Sequence, residues 1–266
     1  MRKIDLPELR RIQLELLDDV HTFCETKGLK YSLCGGTLLG AVRHKGYIPW
    51  DDDIDLFMPR DDYESFARSF VSNANYVLDL RNVPYNRELC LKVCRKGSAM
   101  EDTKLRRTMW GINIDIFPID GCPDDFIPLC KQVLAAREKL AQICPYYKSV
   151  NKKSLKVNYF IKYCLKRVCH PFSKGVISMK QRIHGMLTPF RLTSSKKGGC
   201  VLGSYGTREV LDANVFFEYT RLEFEGKEYP VIKKYHTYLS SLYGDYMTLP
   251  PVEKRVTHHL YTAYID

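Results

Sequence analysis

The chain has no apolar run of the ~18 residues that a membrane-spanning helix needs, and no leader-like apolar stretch follows Met1-Arg2-Lys3. These absences argue against a membrane span and a secretory leader, so the expected location is the cytoplasm. The ten cysteines include no C-x-x-C pair, which argues against a structural zinc site. The thiols are expected to be mostly buried and reduced. No internal repeat, long linker or low-complexity tract is present. Carboxylates are in deficit, 31 Asp and Glu against 41 Lys and Arg, for a net charge of +10. That balance points to anionic partners such as a nucleotide, a nucleic acid or a membrane surface, or else to a solvated basic exterior.

A length of 266 residues allows one large domain or two small ones, and an apolar fraction of 45% with 18 Tyr supports a real core. Despite the shortage of acid, residues 35–58 concentrate it: GGTLLGAVRHKGYIPWDDDIDLFM. A diglycine ends a short apolar strand at 31–34, and a helical run follows over 37–45. Gly46 and Pro49 then mark a loop before a second strand. Alternate side chains of a strand share a face, so Asp51, Asp53 and Asp55 are expected to point one way and Asp52 and Ile54 the other. Three carboxylates on one face repel and call for a cation. An EF-hand loop is a poor match, because the sixth position holds no Gly and the twelfth no Glu. Ile54, Leu56 and Phe57 belong in a core and argue against a merely solvated loop.

The second informative stretch, 111–120, reads GINIDIFPID. Ile112, Ile114 and Ile116 alternate with Asn113, Asp115 and Phe117, the pattern of a half-buried strand with one carboxylate on its polar face. Alone, Asp115 reads as a turn or edge feature. Beside Asp53 and Asp55 it becomes a third metal ligand or a general base. The spacing Asp53-Ile54-Asp55 suits one Mg²⁺ or Mn²⁺, or a pair, which would also take phosphate oxygens. Such a site serves in-line phosphoryl transfer. Glycine lets backbone N–H groups approach a phosphate, and the helix beginning near Thr37 turns its positive end toward the same place.

Elsewhere, residues 5–28 read as a helix capped by Asp5 and ended by Gly28, with a packing role rather than a site. A helix over 61–72, strands at 76–80 and 89–94, and a helix over 124–144 follow. Residues 150–199 are basic and mostly helical, with a loop at 194–199. Within them, 155–172 interleaves lysines with aromatics. It either lies on an anionic membrane surface or packs its apolar face on the core with its lysines in water. Strands at 201–205 and 220–224, a tight turn at 225–227 and a helix over 233–242 lead to a cluster of Lys254, Arg255, His258 and His259. Trp50 is expected to wedge the acidic loop against the core, and Trp110 to pack.

The order strand, Gly-Gly, helix, strand, Asp-x-Asp, with a later strand Asp, resembles the nucleotidyltransferase fold of the DNA polymerase β superfamily. Three blocks carry a closer likeness: GGTLLGAVRHKGYIPWDDDIDLFMPRDDYESF at 35–66, INIDIFPIDG at 112–121 and YGDYMTLPPVEKRVTHH at 243–259. Together they closely resemble the signature of the LicD family, while 150–199 matches no motif. The resemblance implies an α+β fold in one domain. It would have a nucleotidyltransferase (DNA polymerase β-like) mixed-sheet core over 1–122, a helical basic insertion over 123–199 and a C-terminal α/β extension over 200–266 that completes the pocket.

Members of that family transfer phosphocholine from CDP-choline to sugars of teichoic acids or surface glycans, and fukutin-related relatives transfer ribitol phosphate from CDP-ribitol. The resemblance therefore implies a CDP-alcohol donor, a glycan acceptor that is free or lipid-linked, CMP as leaving group, and Mg²⁺ or Mn²⁺. It leaves choline, ribitol and glycerol undistinguished as head groups, with phosphocholine in the lead, and places the reaction at the inner face of a membrane if 155–172 makes contact there. Carried across by position, Asp53, Asp55 and Asp115 look like the metal ligands. Asp115 is also a candidate to accept the proton of the attacking hydroxyl, and Asp51 a candidate to orient a metal water. Gly35, Gly36 and Thr37 are expected at the phosphates. Arg43, His44 and Lys45 face the donor pyrophosphate or form a solvated helix end. Lys254, Arg255 and His258 close the other side of the pocket or form a basic surface patch. Two other functions compete: a nucleotidyltransferase adding NMP to a small molecule or RNA, and a non-catalytic basic module that binds membrane or nucleic acid. The presence of all three strand carboxylates argues against the last, and nucleic acid is not a partner of the leading reading.

Overall fold

Helices begin and end where their termini can be satisfied. In the computed structural model, which describes residues 1–84, 86–102, 107–108, 110–144, 171–257 and 261–266, α1 (Leu6–Lys27) starts at Asp5. Its carboxylate accepts the Glu8 N–H at 3.0 Å, and Gly28, at a left-handed φ of 65°, closes the other end. The face bearing Leu9, Ile12, Leu16, Leu17 and Val20 is buried. Helix α2 (Gly35–His44) begins on the diglycine itself rather than at 37, because the Leu38 N–H already reaches the Cys34 carbonyl at 3.0 Å. Helix α3 (Arg60–Ser69) stops short of 72, where Phe70 turns extended and packs its ring on Phe66 and Phe23. Helices α4 (Ile127–Ile143), α5 (Pro171–Gly185) and α6 (Tyr235–Tyr243) follow. No described helix is long and apolar enough to cross a membrane. The stretch proposed for membrane contact, 155–172, lies outside the described residues as far as 170.

In chain order the strands are β1 (Arg2–Lys3), β2 (Ser32–Leu33), β3 (Asp55–Pro59), β4 (Asn75–Asp79), β5 (Leu91–Arg95), β6 (Ser98–Asp102), β7 (Arg107–Thr108), β8 (Asn113–Cys122), β9 (Lys197–Gly199), β10 (Val210–Asp212), β11 (Tyr219–Phe224), β12 (Lys227–Ile232) and β13 (Tyr261–Ile265). The long strand β8 is the spine of a seven-stranded mixed sheet. One edge of it runs parallel to β3, with Asp115 opposite Asp55. Its other edge pairs antiparallel, first with β5 and then with β9. Strands β2, β4 and β10 extend the sheet beyond β3, β5 and β9. A four-stranded sheet runs in the order β1, β13, β6, β7, and β11 pairs with β12. Mixed pairing with helices between the strands is an α+β architecture.

The larger cluster of buried side chains runs from Ile4 to Ala263 and joins α1 and the central sheet to Phe216, Phe224, Tyr229 and Tyr238 of the C-terminal part. A second cluster joins α4 and α5 to Leu89, Cys122, Val201 and Val210. The eight described cysteines are free thiols, seven of them buried.

Three expectations are corrected. Residues 51–54 are not strand. Strand β3 starts only at Asp55, because Arg10 and Gln13 of α1 occupy the carbonyls of Ile48, Pro49, Asp51 and Asp52 that a strand would offer a neighbour. The glycine-rich 194–199 is not all loop, since Lys197–Gly199 forms β9 between β8 and β10. Its glycines serve close approach: a Cβ on Gly199 would collide with the Glu209 carbonyl. Residues 201–205 form turns rather than a strand. The Gly203 N–H bonds the Cys200 carbonyl at 2.9 Å, and the Glu209 carboxylate occupies the place of a side chain on Gly203.

Candidate functional site

Three strands bring a charged row together. Asp55 of β3 is the parallel partner of Asp115 on β8, and Lys92 of β5 is the antiparallel partner of the same Asp115. Cross-strand partners lie within side-chain reach of each other. The Lys92 ammonium donates to Asp115 Oδ1 and Oδ2 at 2.6 and 2.7 Å and to Asn113 Oδ1 at 3.2 Å, and it lies 3.1 Å from Glu88. Lys92 is only 6% exposed. Burial acts to lower its pKa, but Asp115 and Glu88 outweigh that and hold it well above the ordinary lysine value. Asp55 is raised as well, which for a carboxyl favours the neutral form. Burial first, then the charges of Asp53, Asp115 and Asp51, raise its carboxyl well above the usual range, and Lys92 only partly opposes them.

The diglycine receives these carboxylates. Gly35 sits at a left-handed φ of 52°, and a Cβ there would lie 3.6 Å from Asp55 Oδ2. A Cβ on Gly36 would lie 2.8 Å from Asp51 Oδ2, too close to accept without a shift. Thr37 is buried, and its Oγ1 accepts the Asp55 N–H at 2.8 Å, so helix α2 sets the backbone of the acidic strand. The tether from the other side is α1. Arg10 Nη2 donates to the carbonyls of Ile48, Pro49 and Asp51, Gln13 Nε2 donates to that of Asp52, and Arg10 lies over the Tyr47 ring. A helix expected only to pack therefore also holds the acidic segment.

The predicted basic residues divide. Arg43 donates to His44 Nε2 at 3.0 Å and to the Tyr246 carbonyl at 3.1 Å. Burial and then the nearby Arg255 lower it, so these two cations share one neighbourhood. His44 is lowered by burial and by Arg43. Lys45 turns outward to an exposed ion pair with Glu223 at 3.2 Å. Arg255 donates to the Pro250 carbonyl at 2.8 Å and stacks 5.7 Å over Trp50, which packs against the core. Lys254 is exposed, and His258 lies outside the described residues.

Several residues at or behind the site escaped the sequence reading. Tyr205 donates to Tyr243 Oη at 3.1 Å, and that hydroxyl lies 4.0 Å from a Cβ built on Gly35. Lys92 and Glu88 were missed as well, although a lone lysine between Leu91 and Val93 in an apolar strand was a usable signal. Behind the row, Arg60 clamps the buried Asp120 through two bonds of 2.7 and 2.6 Å and reaches His184 Nδ1 at 3.1 Å. His184 Nε2 donates to the Leu89 carbonyl at 2.9 Å. Lys180 donates to the Leu80 and Val83 carbonyls and to Asn86 Oδ1 at 2.7–2.8 Å. Helix α5 is thereby latched to the loop that carries Glu88 and Cys90 and leads into Lys92 of β5.

Oxygen donors of this kind suit a hard divalent cation: Asp55 stands in register with Asp115, and its carboxyl is raised first by burial and then by the charges of Asp53, Asp115 and Asp51. Among the described residues, it is Glu88, Cys90 and Asp115 that bring ligand atoms within 4.8 Å of one another. The Lys92 ammonium lies between the two carboxylates of that second group and already answers their charge.

Comparisons with known proteins point to one family. The family profile described as LicD/FKTN/FKRP, nucleotidyltransferase domain, matches residues 28–127, which hold α2, β3, β5 and β8. The lipopolysaccharide cholinephosphotransferase LicD of Haemophilus influenzae is 33% identical over 275 aligned residues that span 100% of both chains. The ribitol 5-phosphate transferase FKRP of mouse and of human is 42% identical over 57 residues, 21% of this chain and 12% of the relative. With a likeness that runs the full length and both acid-bearing strands inside the matched span, the chain belongs to the LicD family.

Proposed function

We propose that the protein is a metal-dependent transferase with a nucleotidyltransferase-type core. It would move a phospho-alcohol, phosphocholine foremost, from a CDP-alcohol to a sugar hydroxyl of a cell-surface glycan or teichoic acid and release CMP. The observation that carries this reading is the register of Asp55 beside Asp115 across parallel strands, with Asp53 and Asp51 charging the same spot. Asp53, Asp55 and Asp115 would hold Mg²⁺ or Mn²⁺. When bound, that ion supplies neutralisation of the carboxylates and polarisation of phosphoryl oxygens. Asp115 accepts the proton of the attacking hydroxyl as its oxygen bonds phosphorus and the bond to CMP breaks. Arg43 and Arg255, two cations held in one neighbourhood by backbone carbonyls, meet the charge developing on the departing CMP. The names of the full-length relative and of FKRP support a phospho-alcohol on a glycan acceptor.

The test is CMP release with Mg²⁺ from a panel of CDP-alcohols, with and without candidate glycans. Asp55→Asn is expected to lower turnover by about 10²–10³-fold without loss of melting temperature, because it also relieves charge repulsion. Full activity in that variant overturns the mechanism. A nucleotidylated acceptor in place of free CMP indicates attack at the other phosphorus and a nucleotidyltransferase.

A further inference from the structure

We propose that Lys92 is a positioning residue that fixes the Asp115 carboxylate for proton acceptance, an inference that rests on the transfer reaction above. Its ammonium is surrounded by acceptors: the two oxygens of Asp115 share one side of it, and Asn113 Oδ1 at 3.2 Å and Glu88 Oε2 at 3.1 Å take the others. Asn113 is locked in turn, since its amide nitrogen donates to the Gly111 carbonyl at 2.9 Å, which orients its oxygen toward Lys92. The Trp110 ring lies 5.3 Å from the ammonium. A chain of fixed contacts thus runs from the Gly111 carbonyl, just ahead of β8, through Asn113 and Lys92 to the plane of Asp115. Oδ2 of Asp115 also accepts from the Cys90 thiol at 3.9 Å, which leaves the second lone pair of Oδ1 for a hydroxyl.

Stability is a poor reason for this arrangement. Burying a lysine in a sheet between Leu91 and Val93 costs desolvation, and a buried ion pair is seldom better than an apolar pair of the same volume. The register explains it instead. Lys92 holds Asp115 from the β5 side while Asp55 stands on the β3 side, so the carboxylate keeps one orientation next to a like charge. Groups that orient a reacting carboxylate in this way are typically worth 10–100-fold.

The experiment compares wild type, Lys92→Met and Asn113→Ala as full chains by three readings. These are kcat and KM for CMP release, Mn²⁺ affinity from the electron paramagnetic resonance of free Mn²⁺, and melting temperature without metal. Lys92→Met is expected to lower kcat 10–100-fold with donor KM within about threefold. Mn²⁺ should bind it at least as tightly as wild type, because a positive charge has left the acidic cluster. Asn113→Ala, which loosens the lysine but keeps its charge, should show the same pattern at about 3–10-fold and serves alone if Lys92→Met does not fold. Unchanged kcat in the folded variants overturns the proposal. So does a loss of kcat that tracks equal losses of Mn²⁺ binding and melting temperature, the mark of a structural role. A wild type that releases no CMP from any donor removes the transfer reading and this one with it, whereas an active wild type with unaffected variants removes only the role of Lys92.

Discussion

At Gly36 a methyl group would sit 2.8 Å from the Asp51 carboxylate and push it aside, while Gly35 next to it holds a φ of 52° that L side chains avoid. The two glycines therefore make different predictions. Gly35→Ala should cost about 1–2 kcal/mol in urea unfolding, the strain of a left-handed alanine. Gly36→Ala should leave stability within about 1 kcal/mol, since a side chain can swing away, yet lower turnover by moving Asp51. Equal effects of the two on stability and turnover would refute this division. The diglycine and the aspartates were legible in the sequence, because glycine and repeated acid are rare where a chain needs neither. Lys92 was not, because its partner lies 23 residues away, and which strand flanks β8 is not written in either segment.

Among the elements, α1 shows how a segment that reads as packing gains a second task. Its buried stripe was visible as a 3.6-residue period. Arg10 and Gln13 looked like ordinary polar positions, and their targets are backbone carbonyls 38–41 residues away, which no side-chain pattern reveals. Arg10→Met is expected to destabilise by about 1–3 kcal/mol and to lower kcat/KM beyond what the lost stability explains. Crystallographic displacement of residues 48–52 would be the direct check, and an unmoved loop with normal kinetics would reject the tether. Strand β9 teaches the converse. Its glycines read as a loop signal, but they are there because three strands and the Glu209 backbone approach too closely for a Cβ.

For the whole molecule, the buried network behind the site couples folding to pH. Burial, then the cations Arg60 and Arg81, push His184 down to about 3, and its two ring nitrogens are used by Arg60 and the Leu89 carbonyl in the neutral form. Unfolded histidine titrates near 6.5. Between about 6.5 and about 3 the unfolded chain takes a proton that the folded chain refuses. The contribution of this group is therefore intact above 6.5 and is lost as pH falls through that window, at up to about 1.4 kcal/mol per pH unit. Urea unfolding at pH 7 and pH 5 should show wild type losing about 1–2 kcal/mol more than His184→Gln. The same pH dependence in both would exclude His184 as the source.

Local chemistry alone determined the acid-bearing segments, the helix that caps on Asp5 and ends on Gly28, the turn at 225–227 and the family likeness, because each depends on neighbours along the chain. Only the tertiary structure decided that Asp55 and Asp115 stand in register, that Lys92 closes on Asp115 from the far strand, and that α1 and α5 hold the loops on which the site rests. Those are choices of strand order and of which distant donor reaches which carbonyl, and such choices are made by the packing of the whole core rather than by any one segment.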